Sequence, residues 1–189
     1  SALMEPRAEL GNGGTPSSGK LPWLMAWLVF LPVALLRAGS LGETDTFWEI
    51  RTGFLIITLR SLPDIDPFSW TVHGQTWTLN SWGFNVASAV FYRLGGLPGV
   101  ALACASLVAV VGAMVLLLAR RLGASPIVAS TLLLLSSPLL IGWLSARPQI
   151  VDYLAVLTLT LLMRRLVEGR ASAWSLLAIG LLTVVWGNL

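Results

Sequence analysis

Charged side chains are scarce in this 189-residue chain, where Asp, Glu, Lys and Arg together make up 11%. An ordinary soluble domain carries about 25%. Hydrophobic residues reach 56%, and the mean hydropathy is +0.79. A water-soluble fold of this length could not bury so much apolar surface. The scarcity of charge therefore excludes a soluble globular domain and predicts an all-α polytopic membrane protein.

Cysteine and histidine are almost absent, with one of each. The single Cys104 lies in an apolar run, cannot form an intrachain disulfide and is interpreted as a small core hydrophobe. His73 precedes a glycine in an expected turn, which does not favour a metal or catalytic role. The net charge of +3 does not indicate nucleic acid as a partner. The basic residues flank apolar runs instead of forming a patch, so the expected partner is the lipid bilayer.

Apolar runs long enough to form membrane-crossing helices recur along the chain. A flexible N-terminus is expected at 1–20, followed by about five transmembrane helices. They cover residues 21–38, 97–119, 124–144, 148–163 and 171–189. The fourth is long enough only if Arg147 and Asp152 lie at its headgroup end.

The first loop, 39–96, differs in composition from everything around it. It holds five of the nine acidic residues, four of the nine tryptophans and the only histidine. Two interfacial helices are expected inside it, at about 46–60 and 80–94. Thr46 and Glu49 fit a capping box for the first, and Gly95 and Gly96 stop the second. The apolar stripe of the first helix, opposite Glu49, Thr52 and Gly53, comprises Phe47, Ile50, Phe54 and Ile57.

Turn chemistry fills the middle of this loop. Asp64 and Asp66 precede a proline and are interpreted as turn residues more readily than as ligands. Alternating residues on either side of His73 favour a small hairpin, with strands at 68–72 and 75–79.

The helix at 80–94 admits two placements, along the membrane surface or across it. If it lies along the surface, most arginines fall on the side of the N-terminus, and the acidic loop falls on the other side. If it spans, Arg120, Arg121, Arg164, Arg165 and Arg170 move outside. The positive-inside rule prefers the first arrangement. It predicts a cytoplasmic N-terminus and an extracytoplasmic acidic loop.

Two polar clusters are expected at the same membrane face. Glu43 and Asp45 directly follow the first span, where carboxylates can bind a divalent cation or take a proton from a hydroxyl. The alternative is a solvated loop start. Arg147 and Asp152 follow the third span, and the guanidinium of Arg147 suits a phosphate. Their alternative is snorkelling, or a structural pair between the two side chains.

The order of these features resembles the N-terminal membrane part of bacterial GT-C-type glycosyltransferases. The residues that carry the resemblance are the first-loop pattern from Asp45-Thr-Phe-Trp through Pro63-x-x-Asp-Pro-Phe-Ser, Thr71, Gly74 and Trp77, with the later Arg147-Pro-Gln and Trp186-Gly-Asn-Leu. The match covers most of 21–189, and the loop pattern is its most specific part.

The resemblance implies an inverting glycosyltransferase that uses a polyprenyl-phosphate sugar at the extracytoplasmic face of the inner (cytoplasmic) membrane of a bacterial cell. By position, Asp45, Glu43 and Asp152 would be catalytic, and Asp45 with Glu43 would hold Mg²⁺ or Mn²⁺ if a metal takes part. Arg147 would hold the lipid phosphate, with Glu49 and Trp48 also binding substrate.

Two departures from the family pattern count against a complete enzyme. Relatives often have His where Glu49 stands, and they continue beyond Asn-Leu into His-Gly-Gly and further spans, so the chain is expected to be truncated and too short for a whole active site.

The alternative is a non-catalytic scaffold subunit of a larger respiratory, photosynthetic or transport complex, with other membrane subunits as partners. Its tryptophan-rich loop and apolar spans would then be docking surfaces. A channel or transporter is a more distant alternative, because the spans carry almost no mid-membrane charge and show no inverted repeat.

Overall fold

A computed structural model describes residues 19–38, 41, 44–71, 73–140, 147–170 and 172–187. Within these ranges the fold is all-α, with no strand beyond an isolated antiparallel bridge between Ile65 and Thr76. The six helices are α1 (Lys20–Ala38), α2 (Thr44–Leu59), α3 (Trp82–Arg121), α4 (Pro126–Leu140), α5 (Gln149–Val167) and α6 (Ala173–Trp186).

Helix α3 is two helical arms joined at a glycine pair. Gly95 and Gly96 have non-helical backbone angles, and Gly96 has φ of 62°, a left-handed conformation that strains any residue with a Cβ. After the break the chain doubles back, since a Cβ on Gly99 would lie 2.6 Å from the Phe91 carbonyl oxygen. The arms, 82–94 and 97–121, meet at the glycine pair that the sequence predicts as a stop.

Helix α1 runs antiparallel to the second arm of α3, since Trp23 near the start of α1 borders the same small cavity as Arg120 near the end of that arm. The indole Nε1 of Trp27 donates a hydrogen bond of 2.8 Å to the Ala109 carbonyl. Phe30 is buried with its ring directly against Gly112, where a larger residue would not fit. These contacts form the centre of one apolar core. Its other members come from α2, α3, α4 and α5 and include Ile50, Val100, Val108, Leu133 and Ile150.

Helix α2 packs against α3 with a face of mixed polarity. Thr52 and Glu49 are buried together with Ile50 of the expected apolar stripe, whereas Phe47 and Ile57 of that stripe are exposed. Gly53 allows this contact, because its Cα lies against the Asn85 backbone carbonyl. The helix begins at Thr44, two residues before the expected capping residue, so Thr46 lies inside it.

Successive helices α3 to α6 alternate in direction between two ends of the bundle. At one end, Asp45 of α2 meets Arg147, which precedes α5. At the other end, Arg121 of α3 and Arg164 of α5 border one cavity. Helix α6 begins with a capping box of Ser172 and Ser175 and returns along α5, so that Trp186 reaches Asp152. The first end is called the polar end below, and the second the basic end.

By length and composition, one described helix, α3, could cross a membrane. Three further helices are apolar but shorter, namely Lys20–Leu36, Pro126–Pro138 and Ala173–Trp186. Their apolar side chains face outward along much of their length, as Leu36, Ile127 and Leu181 do. Such outward apolar surface is ordinary for a helix in contact with lipid and unusual for one in water.

Candidate functional site

The polar end brings together two predicted site residues that are far apart in the sequence. The Nη2 of Arg147 lies 3.5 Å from Oδ2 of Asp45. Asp45 occupies the first turn of α2, where the helix dipole favours a carboxylate. Arg147 immediately precedes Pro148, the N-cap residue of α5. The start of α2 and the start of α5 therefore place a carboxylate and a guanidinium side by side.

This ion pair is open to solvent, with side-chain exposures of 62% for Asp45 and 32% for Arg147. An exposed pair of this kind contributes about 0–1 kcal/mol to stability. Either partner can therefore exchange the other for a ligand at little cost in folding. A phosphate or another anion could take Arg147, and an acceptor hydroxyl could take Asp45.

Asp152 lies in the first turn of α5 at the same end of the bundle. The indole Nε1 of Trp186 donates a hydrogen bond of 2.7 Å to its Oδ1. Asp152 also borders an apolar cavity of about 390 Å³ between α1, α3, α4 and α5, together with Phe30 and Val156. Arg147 pairs with Asp45, so the alternative of a structural Arg147–Asp152 pair is not the arrangement observed.

Trp48 and Glu49 are adjacent on α2 but face different surroundings. Trp48 packs edge-on against Phe68 at a centroid distance of 4.9 Å and against Trp77 at 6.3 Å. Glu49 is buried against α3 and is close enough to Cys104 to interact with it electrostatically. Trp48 thus holds the loop onto α2, and Glu49 is largely shielded from an incoming substrate.

The loop after α2 is fixed by a turn around Asp66. Oδ1 of Asp66 accepts hydrogen bonds from the backbone N–H groups of Phe68 at 2.8 Å and Ser69 at 2.9 Å. Hydrogen bonding from the Ser69 side chain, then from these N–H groups, lowers the pKa of Asp66 below its ordinary value. The Asp66 N–H donates to the Gln75 carbonyl. The antiparallel pairing therefore joins 64–66 to 75–77, and the expected pairing of 68–72 with 75–79 is wrong.

The metal prediction falls partly outside the described residues, because Glu43 is not among them. Within the part of the chain that the structure describes, no three His, Cys, Asp or Glu side chains come together as a ligand set. Asp45 has a guanidinium as its neighbour, and a positive charge at that distance opposes a second cation. Since only one of the two predicted ligands is described, binding of Mg²⁺ or Mn²⁺ at the polar end stays a prediction.

Two features of the site region were missed from the sequence. The Trp186–Asp152 hydrogen bond could have been predicted from the expected topology, because both residues were expected at the same membrane face. The buried seam of Thr52 and Asn85 between α2 and α3 carried no such signal. Comparison with known proteins adds nothing to these assignments, because no family model, curated protein or solved structure matches the chain.

Proposed function

We propose that this chain is a polytopic membrane protein related to GT-C-type glycosyltransferases, with a lipid-phosphate binding site at its polar end. The observation that carries the proposal is the exposed Asp45–Arg147 pair. A base and a phosphate-binding cation next to each other are the two groups that sugar transfer from a lipid phosphate needs. The resemblance in the first loop, stated above, supplies the reaction class.

In the proposed reaction, Asp45 accepts the proton of an acceptor hydroxyl. The hydroxyl oxygen then attacks the anomeric carbon from the side opposite the lipid phosphate, so the configuration inverts. The Asp45–Arg147 pair therefore has to open, because the sugar lies between the two side chains during this step. The bond from that carbon to the phosphate oxygen breaks, and the polyprenyl phosphate leaves with its charge held by Arg147. Asp152 assists as a second acid at the polar end, Glu43 is a further candidate because it lies two residues before Asp45 in the sequence, and Trp48 lines the sugar side.

The proposal also includes a topology. Helices α1, α4, α5 and α6 and the second arm of α3 cross the inner membrane, with the N-terminus in the cytoplasm. Helix α2 and the first arm of α3 then lie at the extracytoplasmic surface with the polar end. The alternation of helix directions supports this arrangement. Lys20 begins α1, and Trp23 in the first turn of α1 borders a cavity with Arg120 near the end of α3. Both basic residues therefore lie at the basic end, on the side proposed to face the cytoplasm.

A scaffold role is the second candidate, and helix α6 favours it. Among the described helices α6 packs on α5 alone. Its other faces carry exposed apolar side chains, including Trp174, Leu177 and Leu181. Those faces offer contact area for lipid or for a helix of another membrane subunit.

The test compares Asp45→Asn and Arg147→Gln with Asp64→Asn, an exposed acid in the same loop. Each variant is purified in detergent and given synthetic polyprenyl-phosphate sugars, and the release of polyprenyl phosphate is measured. The first two variants should lose transfer with unchanged expression, and Arg147→Gln should also weaken binding of undecaprenyl phosphate. The Asp64 control should behave as wild type.

Transfer that survives Asp45→Asn would remove this residue from the mechanism. Wild-type chain that neither binds nor cleaves the lipid, but co-purifies in fixed stoichiometry with other membrane chains, would establish the scaffold role instead. For the topology, thiol labelling of intact cells should modify Asp64→Cys and spare Arg120→Cys. The reverse pattern would refute the orientation.

A further inference from the structure

The basic end of the bundle contains a cavity of about 420 Å³ whose walls are almost all arginine. Two segments that are separate in the sequence contribute to it: the end of α3, and the stretch from the last turn of α5 into the connection to α6. The lining residues are Arg121, Arg164, Arg165, Glu168 and Arg170. We call this cavity the arginine pocket.

The charges in the arginine pocket do not balance. Glu168 pairs with Arg164 at 3.0 Å and with Arg170 at 3.3 Å. Within the described ranges, Arg121 and Arg165 form no ion pair. One carboxylate among four guanidinium groups leaves an excess of positive charge facing a common space.

One hydrogen-bond donor in the arginine pocket, on Arg164, is buried without an acceptor. The Nη1 of Arg164 is buried and has no hydrogen-bond partner among the described residues. A buried N–H group of a charged side chain costs more than a neutral one when it lacks an acceptor. Favourable interaction with the helix C-termini accounts for arginines in the last turns of α3 and α5, but it supplies no acceptor for this nitrogen. The arrangement calls for an anion.

An apolar groove of about 500 Å³ adjoins the arginine pocket and shares two of its walls, Arg164 and Glu168. The rest of the groove is formed by α5, from Leu159 through Met163 to Val167. Val167 is 90% exposed although it is fully apolar. A cluster of cations thus continues directly into an apolar channel along the outside of the helix.

We propose that the arginine pocket and its adjoining groove bind an anionic phospholipid. The phosphate lies among the guanidinium groups, whose planar forks match phosphate oxygens in pairs. One acyl chain lies along Leu159, Met163 and Val167. A soluble phosphate would use only the pocket, whereas a lipid needs both parts, and the continuity of the two favours the lipid. This site is at the opposite end of the bundle from Asp45 and does not depend on glycosyl transfer.

The test uses the full chain purified in a neutral detergent and titrated with phosphatidylglycerol, phosphatidylcholine or inorganic phosphate, with bound lipid counted by native mass spectrometry. The wild-type chain should bind phosphatidylglycerol in preference to phosphatidylcholine. The double variant Arg121→Gln/Arg165→Gln should weaken phosphatidylglycerol binding by at least about tenfold, the change expected when one charged contact to the phosphate is lost. Neither arginine forms an ion pair in the described structure, so the fold should survive.

A charge-matched control, Arg51→Gln/Arg93→Gln, removes two exposed arginines outside the arginine pocket and should leave binding unchanged. Val167→Gln tests the groove and should weaken lipid binding without changing binding of inorganic phosphate. Equal binding of the two lipids by the wild type would overturn the proposal. So would a loss of binding in the control as large as in the pocket variant. If inorganic phosphate competes fully with phosphatidylglycerol, and Val167→Gln has no effect on lipid binding, the arginine pocket would be assigned to a soluble phosphate and the lipid proposal would be refuted.

Discussion

The contact between α2 and α3 depends on the absence of a side chain at Gly53. A Cβ at this position would overlap the Asn85 carbonyl oxygen and lie 2.8 Å from the Cβ of Ala89. Neither obstacle is the end of a flexible side chain, so the clash can be relieved only by moving one helix away from the other. Gly53→Ala therefore separates α2 from the first arm of α3.

The expected magnitude follows from two opposing effects. Overpacking a tight site costs about 1–3 kcal/mol, and a backbone obstacle places this site at the upper end of that range. Replacing Gly by Ala inside a helix stabilises that helix by about 1 kcal/mol, because Ala has the higher helix propensity. The net loss should be about 2 kcal/mol, or a fall of about 4–8 °C in the midpoint of thermal unfolding for a chain of this size.

Gly180→Ala is the matched control, because Gly180 also lies within a helix and a Cβ there would meet no heavy atom within 4 Å. It should be neutral or stabilising by up to about 1 kcal/mol. The assay is the fraction of monodisperse protein that survives heating in detergent, measured by size-exclusion chromatography. Gly53→Ala that is as stable as the wild type would refute the close contact. Because α2 carries Asp45, the same variant should also loosen the Asp45–Arg147 pair.

Three further predictions concern single polar groups. Asp66 has a lowered pKa, so it stabilises the fold above its ordinary value of 3.8 and loses that contribution as pH falls through the lowered value. Tryptophan fluorescence should report an acid transition that Asp66→Asn, whose amide titrates at no pH, abolishes; a transition unchanged in that variant would contradict the turn. Thr52→Val should be neutral or stabilising by up to about 1 kcal/mol, because the Thr52 hydroxyl is buried without a hydrogen bond within the described residues; a loss of several °C in thermal midpoint would show that the hydroxyl has a partner outside them. Trp186→Phe should cost about 1 kcal/mol through its lost hydrogen bond to Asp152, whereas Trp174→Phe, at a highly exposed position, should cost nothing measurable by the same heating assay.

Local signals in the sequence were sufficient for the helical class and for the break in α3. Gly95 and Gly96 interrupt a long apolar run, and adjacent glycines permit backbone angles that end a helix. The turn at Asp66 was readable for a similar reason, since an aspartate before a proline favours hydrogen bonds to its own backbone. Each of these features depends on residues close together in the chain.

The packed face of α2 was harder to predict. Periodicity identifies two faces of a helix but does not say which one meets the protein when lipid is the alternative neighbour. Small and polar side chains can pack between helices while apolar ones face outward, as Gly53 and Phe47 do. The Asp45–Arg147 contact was likewise beyond local reasoning. The sequence placed both residues at one membrane face, but their pairing depends on how α2 and α5 pack around α3.

Helix α5 belongs to both ends of the molecule at once. Its 19 residues make a rod of roughly 28 Å at about 1.5 Å per residue, with Arg147 just before one tip and Arg164 near the other. A phosphate group bound at the basic end would restrict the tilt of α5. Restricted tilt would hold the Arg147 guanidinium closer to the Asp45 carboxylate at the polar end. If α5 crosses the membrane as proposed, the lipid bound at the basic end would influence how often the Asp45–Arg147 pair forms at the polar end.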